Sequence, residues 1–151
     1  MTLYYLDSTA WLQYYIRETG SDKIAELFTP ASVLSSASFG FMEVVVALSR
    51  LAHSGKISPE DLHLKLHDLE NDWTQFLQVY SSHRVVKFAE QAAFKHNLAA
   101  ERVIHLASAL AVQEACQNSG ADLVLTFVSA DAKLLDVAQQ YDFIPMRPSA
   151  S

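Results

Sequence analysis

Hydrophobic positions follow two rhythms along the chain: short, nearly unbroken runs, and longer segments in which they recur every three or four residues. The short runs predict buried strands at "LYYL" (3–6), "SVLSSA" (32–37), "DLVLTFVS" (122–129) and, more briefly, "FIPM" (143–146). Each is followed or preceded by a segment of helical period. "STAWLQYYIR" continues from the first run, Gly20 and Ser21 break and restart a helix over "DKIAELF", and Pro30 ends it. From Phe39 to Ala52 apolar residues are so dense that the helix must be nearly surrounded by protein.

Ser58 as N-cap and Pro59 at the first helical position open a plain amphipathic helix whose stripe is Leu62, Leu66, Leu69, Trp73 and Phe76. "SSHRVVKFAEQAAFKHN" has a serine cap at its start and Asn97 at its end. "LAAERVIHLASALAVQEACQNSG" predicts a long helix stopped at Gly120, and "ADAKLLDVAQQ" a last one. Near-continuous apolar strands alternating with helices imply an α/β fold, a parallel sheet covered on both faces and connected by right-handed crossovers.

A chain of 151 residues is long enough for one sizeable core, and it contains no Pro/Ser/Gly-rich linker and no fixed-period repeat. A single domain over 1–147 with a polar tail at 148–151 is expected. Eleven Lys/Arg against seventeen Asp/Glu give a net charge of −6, which disfavours non-specific attraction to nucleic acid or anionic lipid and leaves room for carboxylates gathered around a cation. Cys116 is the only cysteine, so no internal disulfide forms, and it has no neighbour that would make it a nucleophile. There is no secretory-signal pattern and no run near the roughly 18 apolar residues of a membrane span, so a cytoplasmic protein is expected.

In a parallel sheet, ligands bind outside the carboxyl ends of the strands. Asp7 follows the first strand directly and Asp131 lies just beyond the end of "LVLTFVS", so both reach the same edge. Either is also a good helix N-cap, and taken singly each reads as a cap or as a ligand. Glu43 is harder to explain away. Its four-residue spacing to Phe39 and Ala47 puts it on an apolar stripe, where an ionised carboxylate is costly unless paired or bound to a cation. Three converging carboxylates call for a compensating charge, and oxygen-only ligands suit Mg²⁺ or Mn²⁺, ions that support phosphoryl chemistry.

Four segments together carry a family resemblance: "YYLDSTAWLQYYIRETGS", "FGFMEVVVALSRL", "HNLAAERVIHLASALA" and "DLVLTFVSADAKLL". In this order they resemble a PIN domain, most closely the VapC-like toxins of bacterial and archaeal toxin–antitoxin pairs. The resemblance implies a three-layer α/β/α fold with a central parallel sheet and an acidic Mg²⁺ or Mn²⁺ site. It also implies cleavage of RNA phosphodiesters, a homodimer, and inhibition by a small antitoxin. On matching positions Asp7, Glu43 and Asp131 become metal ligands and Ser8 and Ser129 supporting hydroxyls.

The match breaks at one position. Family members carry an aspartate three residues before the histidine of the "HLASAL" segment, and here that residue is Arg102. Glu101 is the nearby acid and a candidate fourth ligand and catalytic group, although one residue rotates a side chain by about 100° around a helix. Arg102 has three open readings. It pairs with Asp7 or Asp131 in place of a cation, giving a PIN-fold protein that binds RNA or a protein without cutting; it contacts RNA phosphate beside a metal held by three acids; or it points to solvent.

The remaining candidates have plainer explanations. His63 and His67 sit off the leucine stripe with Glu70 and read as a solvated face, and His105 reads as a hydrogen-bonded core histidine. Trp11, Tyr14 and Tyr15 read as core or interface rather than a base-stacking surface, and Arg50, His53 and Lys56 as a solvated helix end. "LDSTA" lacks the second aspartate of haloacid-dehalogenase-like phosphatases, and a chain with four glycines has no Gly-rich phosphate loop.

Overall fold

The computed structural model describes residues 1–149. In chain order the elements are β1 (Thr2–Leu6), α1 (Ser8–Leu12), α2 (Ser21–Ala25), β2 (Ser32–Ala37), α3 (Ser38–His53), α4 (Pro59–Gln75), β3 (Leu77–Val79), α5 (His83–Lys95), α6 (Ala100–Asn118), β4 (Leu125–Val128), α7 (Ala132–Ala138) and β5 (Ile144–Met146). All strand pairs are parallel and the sheet order is β3-β2-β1-β4-β5. The α/β expectation therefore holds.

Side-chain alternation along β1 builds the two faces. Leu3 and Tyr5 enter one core with Leu125 and Phe127 of β4 and the apolar sides of α5, α6 and α7, while Leu6 and Val128 enter another with α1, α3 and α4. Because successive side chains of a strand point to opposite faces, the pattern "LYYL" suffices to feed both layers. Trp11 and Leu69 are fully buried in the second core, where Trp11 stacks on Phe76 at 4.7 Å between ring centroids.

Local signals act where expected. The Ser58 side chain accepts from Asp61 N–H at 3.0 Å, Ser82 accepts from Val85 N–H, and Gly120 takes the left-handed φ of 77° that lets the α6 terminus close with Ala121 N–H donating to Cys116 C=O. Several elements differ from the sequence reading, which gave no strand at Leu77–Val79. Helix α1 stops at Leu12, and its chain tightens into turns closed by Gln13, Tyr14 and Tyr15 N–H groups donating to carbonyls three residues back. Contacts from α4 hold that tightened turn: Tyr15 O–H donates to Asp72 and Lys65 Nζ donates to Tyr15 C=O. Strand β3 is only three residues long, too short for a period to show, and exists through its pairing of Leu77–Val79 with Ser35–Ala37. Strand β4 begins at Leu125 rather than Asp122 because its partner β1 enters register only there, with Leu3 opposite Leu125.

The predicted tail begins at Pro148; residues 150 and 151 lie outside the described residues. Among the described residues no helix is long and apolar enough to cross a membrane.

Candidate active site

The chain leaves β1 for β2 on one side and, after β3, returns to place β4 on the other side of β1. The crevice between the carboxyl ends of β1 and β4 is therefore the switch point of the sheet, where a ligand site is favoured. Asp7 stands directly after β1 and Ser129 directly after β4, with Asp131 following beyond Ala130. Backbone bonds from Asp7 N–H to Val128 C=O and from Ser129 N–H to Met146 C=O, both 3.1 Å, extend the ladder and fix where the two loops start.

A cavity of about 150 Å³ opens at this edge, lined by Asp7, Glu43, Glu101 and Asp131 together with Ser8, Thr9, Arg102 and His105. The three predicted ligands and Glu101 thus come together, from four different elements. Ser129 is completely buried beneath them.

Asp7 is both cap and cavity residue. Its Oδ1 accepts from Ala10 N–H at 3.0 Å, capping α1, and from the Thr9 hydroxyl at 2.6 Å, while Oδ2 accepts from the Ser129 hydroxyl. Only 2 % of Asp7 is exposed, and burial pushes its carboxyl above the usual aspartate range; the nearby His105 and the hydroxyls of Ser129 and Thr9 pull in the opposite direction. The supporting hydroxyls are Thr9 and Ser129. Ser8 lines the cavity, but the bond to Asp7 belongs to Thr9, whose oxygen also accepts from Ala130 N–H at 2.9 Å and so ties α1 to the β4–α7 loop.

Asp131 caps α7 in the same way, its Oδ1 accepting from Lys133 N–H and Leu134 N–H. Its Oδ2 accepts from Arg102 Nε at 2.5 Å, a charge-assisted bond between side chains 30 % and 17 % exposed. Arg102 therefore turns into the site and pairs with one of its acids rather than pointing to solvent. Glu101, one residue earlier in the first turn of α6, lines the cavity from an exposed position.

Glu43 is held by His105. The imidazole Nε2 lies 2.6 Å from Glu43 Oε1, and Nδ1 lies 2.8 Å from the Tyr5 hydroxyl. An ionised carboxylate only accepts, so Nε2 carries a hydrogen toward Glu43, and in the neutral ring Nδ1 is left to accept from Tyr5 O–H. Burial raises the Tyr5 pKa well above its ordinary value, which keeps that hydroxyl protonated as a donor. His105 is 3 % exposed and is a hydrogen-bonded core histidine, as its apolar neighbours in sequence suggest, yet its second nitrogen reaches the site. Tyr5 and Thr9 were not legible as site residues. Nothing local marks Tyr5, whose partner lies a hundred positions away, and only the hydroxyl two residues after Asp7 hints at Thr9.

As arranged, these side chains do not fit the expected metal. Both oxygens of Asp7 accept from protein donors, Asp131 is bonded to two amides and a guanidinium, and one oxygen of Glu43 is bonded to an imidazole. Among the described residues no group of three or more His, Cys, Asp or Glu is placed to hold a metal ion. The other candidates behave as surface or core: His63, His67 and Glu70 are exposed, Trp11 and Tyr15 are buried, and Tyr14 stacks on Phe28.

The fold is that of bacterial toxin–antitoxin proteins. It superposes on a chain of VapBC-1 from nontypeable Haemophilus influenzae with a TM-score of 0.65 at 9 % identity, covering 99 % of this chain and 100 % of that one. A chain of VapBC2 from Rickettsia felis, bound to a DNA fragment from its promoter, gives 0.64 at 11 % identity over 97 % and 98 % of the two chains. A toxin–antitoxin complex from Klebsiella pneumoniae gives 0.64 at 13 % over 98 % of each. No family model matches the sequence. Two curated relatives do: Ribonuclease VapC45 and Ribonuclease VapC49, from two strains of Mycobacterium tuberculosis, are each 30 % identical over 112 residues, 74 % of this chain and 78 % of theirs. The chain belongs to the VapC family.

Proposed function

We propose that the chain is a ribonuclease that hydrolyses RNA phosphodiesters at the cavity between β1 and β4, and that it acts as the toxin of a pair with a small antitoxin. The observation that carries this reading is the convergence of Asp7, Glu43 and Asp131 on one cavity at the switch point of the sheet. Its relatives' names, and the toxin–antitoxin assemblies sharing its fold, support it. A homodimer and a cytoplasmic location, where RNA is met, belong to the same proposal.

Hydrolysis of a phosphodiester needs a group to take a proton from water, a proton for the leaving oxygen and positive charge near the phosphoryl oxygens. The carboxylates of Asp7, Glu43 and Asp131 are suited to the first, and Arg102 is the cation that lies in the cavity. Four carboxylates against one guanidinium leave the cavity short of positive charge for a phosphate. A requirement for added Mg²⁺ or Mn²⁺ is therefore part of the proposal as an outcome to be read.

The test is cleavage of a mixed RNA pool by the purified chain, with Asp7→Asn as control, in chelator and in Mn²⁺. Cleavage that needs Mn²⁺ and disappears in Asp7→Asn supports the proposal. The Arg102–Asp131 pair favours a second reading, a PIN-fold protein that binds RNA or a protein partner without cutting. RNA binding without cleavage, indifferent to chelator and to Asp7→Asn, would establish that reading instead.

A further inference from the structure

The cavity presents a problem of charge that the fold has already answered in part. Asp7, Glu43, Glu101 and Asp131 all line about 150 Å³. Carboxylates crowded at this range raise one another's free energy of ionisation unless a cation lies among them. One lysine or arginine, Arg102, lines the cavity with them.

Its placement is specific. Arg102 stands in the first turn of α6, and its backbone N–H donates to Ala99 C=O at 3.1 Å. From there the guanidinium directs Nε to Asp131 Oδ2 at 2.5 Å, while Asp131 is fixed by its own bonds to the first turn of α7. Both partners are thus anchored at helix starts, and the pair is partly shielded from water. The pair is also less exposed than the Arg17–Asp22 contact, whose side chains are 77 % and 81 % exposed. A shielded pair keeps more of its Coulomb attraction than a surface pair does.

We propose that Arg102 is the resident counter-ion of the acidic cavity and competes with divalent cations for it, so that a cation binds only by drawing the guanidinium off Asp131. The inference rests on the ribonuclease reading for the choice of cavity and of probe. It accounts for carboxylates that meet at one site without being grouped as metal ligands: Asp7 and Asp131 already have protein partners on both oxygens, and the pairing of Asp131 is with a charge of the same sign as the metal's. An ammonium is a more strongly hydrated point charge that lacks the planar fork, so it should hold Asp131 less firmly than the guanidinium does.

The test is direct binding of Mn²⁺, followed by calorimetry on the full chain free of any partner, for wild type, Arg102→Ala, Arg102→Lys and Arg102→Ala/Asp7→Asn. Expected is a Kd at least about tenfold tighter in Arg102→Ala than in wild type, Arg102→Lys in between, and the gain lost when Asp7→Asn is added, which places the ion in this cavity. Thermal unfolding with and without Mn²⁺ gives a second readout, because a ligand that binds only the folded chain raises its midpoint. Arg102→Ala should gain more from Mn²⁺ than wild type. Equal Mn²⁺ affinity in wild type and Arg102→Ala, or no binding in any variant, overturns the inference. RNA cleavage by the same preparations separates the two claims. Cleavage by wild type with no affinity difference sinks the counter-ion and leaves the ribonuclease standing. Tighter Mn²⁺ in Arg102→Ala with no cleavage by either protein does the reverse.

Discussion

Gly40→Ala tests how tightly the relay from Tyr5 through His105 to Glu43 is built into the fold. In most helices this change is stabilising by about 0.5–1 kcal/mol, because alanine loses less backbone freedom on folding. At Gly40 the new Cβ would stand 2.9 Å from His105 Cε1 and 2.9 Å from Ser36 Oγ. Neither neighbour is free to retreat. The imidazole is bonded at both nitrogens, and the fully buried Ser36 hydroxyl donates to Leu6 C=O at 2.7 Å.

Forcing a methyl into so closed a site costs about 1–3 kcal/mol, which outweighs the helix term. A net loss of about 1 kcal/mol moves the urea midpoint down by roughly 0.5 M at a slope near 2 kcal/mol/M, with the slope itself unchanged. The assay is equilibrium urea unfolding of wild type, Gly40→Ala, His105→Ala and the double variant. Because His105→Ala removes the ring that the methyl strikes, the cost of Gly40→Ala should shrink in that background, a coupling between contacting residues. Gly40→Ala as stable as wild type or more so, or equally costly with and without the ring, would refute the reasoning.

Asp7→Asn is expected to abolish cleavage while leaving thermal stability at pH 7 equal to or above wild type. The raised Asp7 pKa means that the folded state binds its proton more tightly than the unfolded chain, so this group costs stability as pH rises from the ordinary value of 3.8 through the folded pKa, and wild type and Asp7→Asn should converge on acidification; a clear loss of midpoint at pH 7 would contradict this. Tyr5→Phe keeps the stack on Phe127, at 5.5 Å between centroids, and strands His105 Nδ1 without its donor. A cost of about 1–3 kcal/mol by denaturant unfolding is expected, and a neutral result would count against Tyr5 as the group that orients the imidazole. Asp131→Ala removes both the α7 cap and the ion pair, whereas Asp131→Asn keeps an oxygen for the cap. The alanine variant should be less stable by about 1 kcal/mol than the asparagine variant, and equal midpoints would show that the cap contributes nothing.

The alternation of apolar runs and helical segments was enough to give the α/β class and a parallel sheet covered on both faces, because a period of two or of 3.6 is written residue by residue. Caps at Ser58 and Ser82 and the stop at Gly120 were equally local. Asp7 and Asp131 were placed at one edge by the rule for strand ends alone, and Glu43 by the cost of a carboxylate on an apolar stripe. Whether the two aspartates capped helices or lined a site could not be resolved that way, since both roles use the same position; the folded chain has them do both.

What tertiary structure alone decided are the contacts between residues far apart in the chain. Strand β3 is made by its partner rather than by its own three residues, and the turn after Leu12 is held by Lys65 and Asp72 of another helix. The relay through His105 spans a hundred positions, and the side chain that Arg102 pairs with lies 29 residues away across the crevice. A sequence fixes which charges a chain carries and which face of a helix they occupy. Which opposite charge each one meets depends on how the helices are set around the sheet, and here that setting puts a guanidinium among the acids.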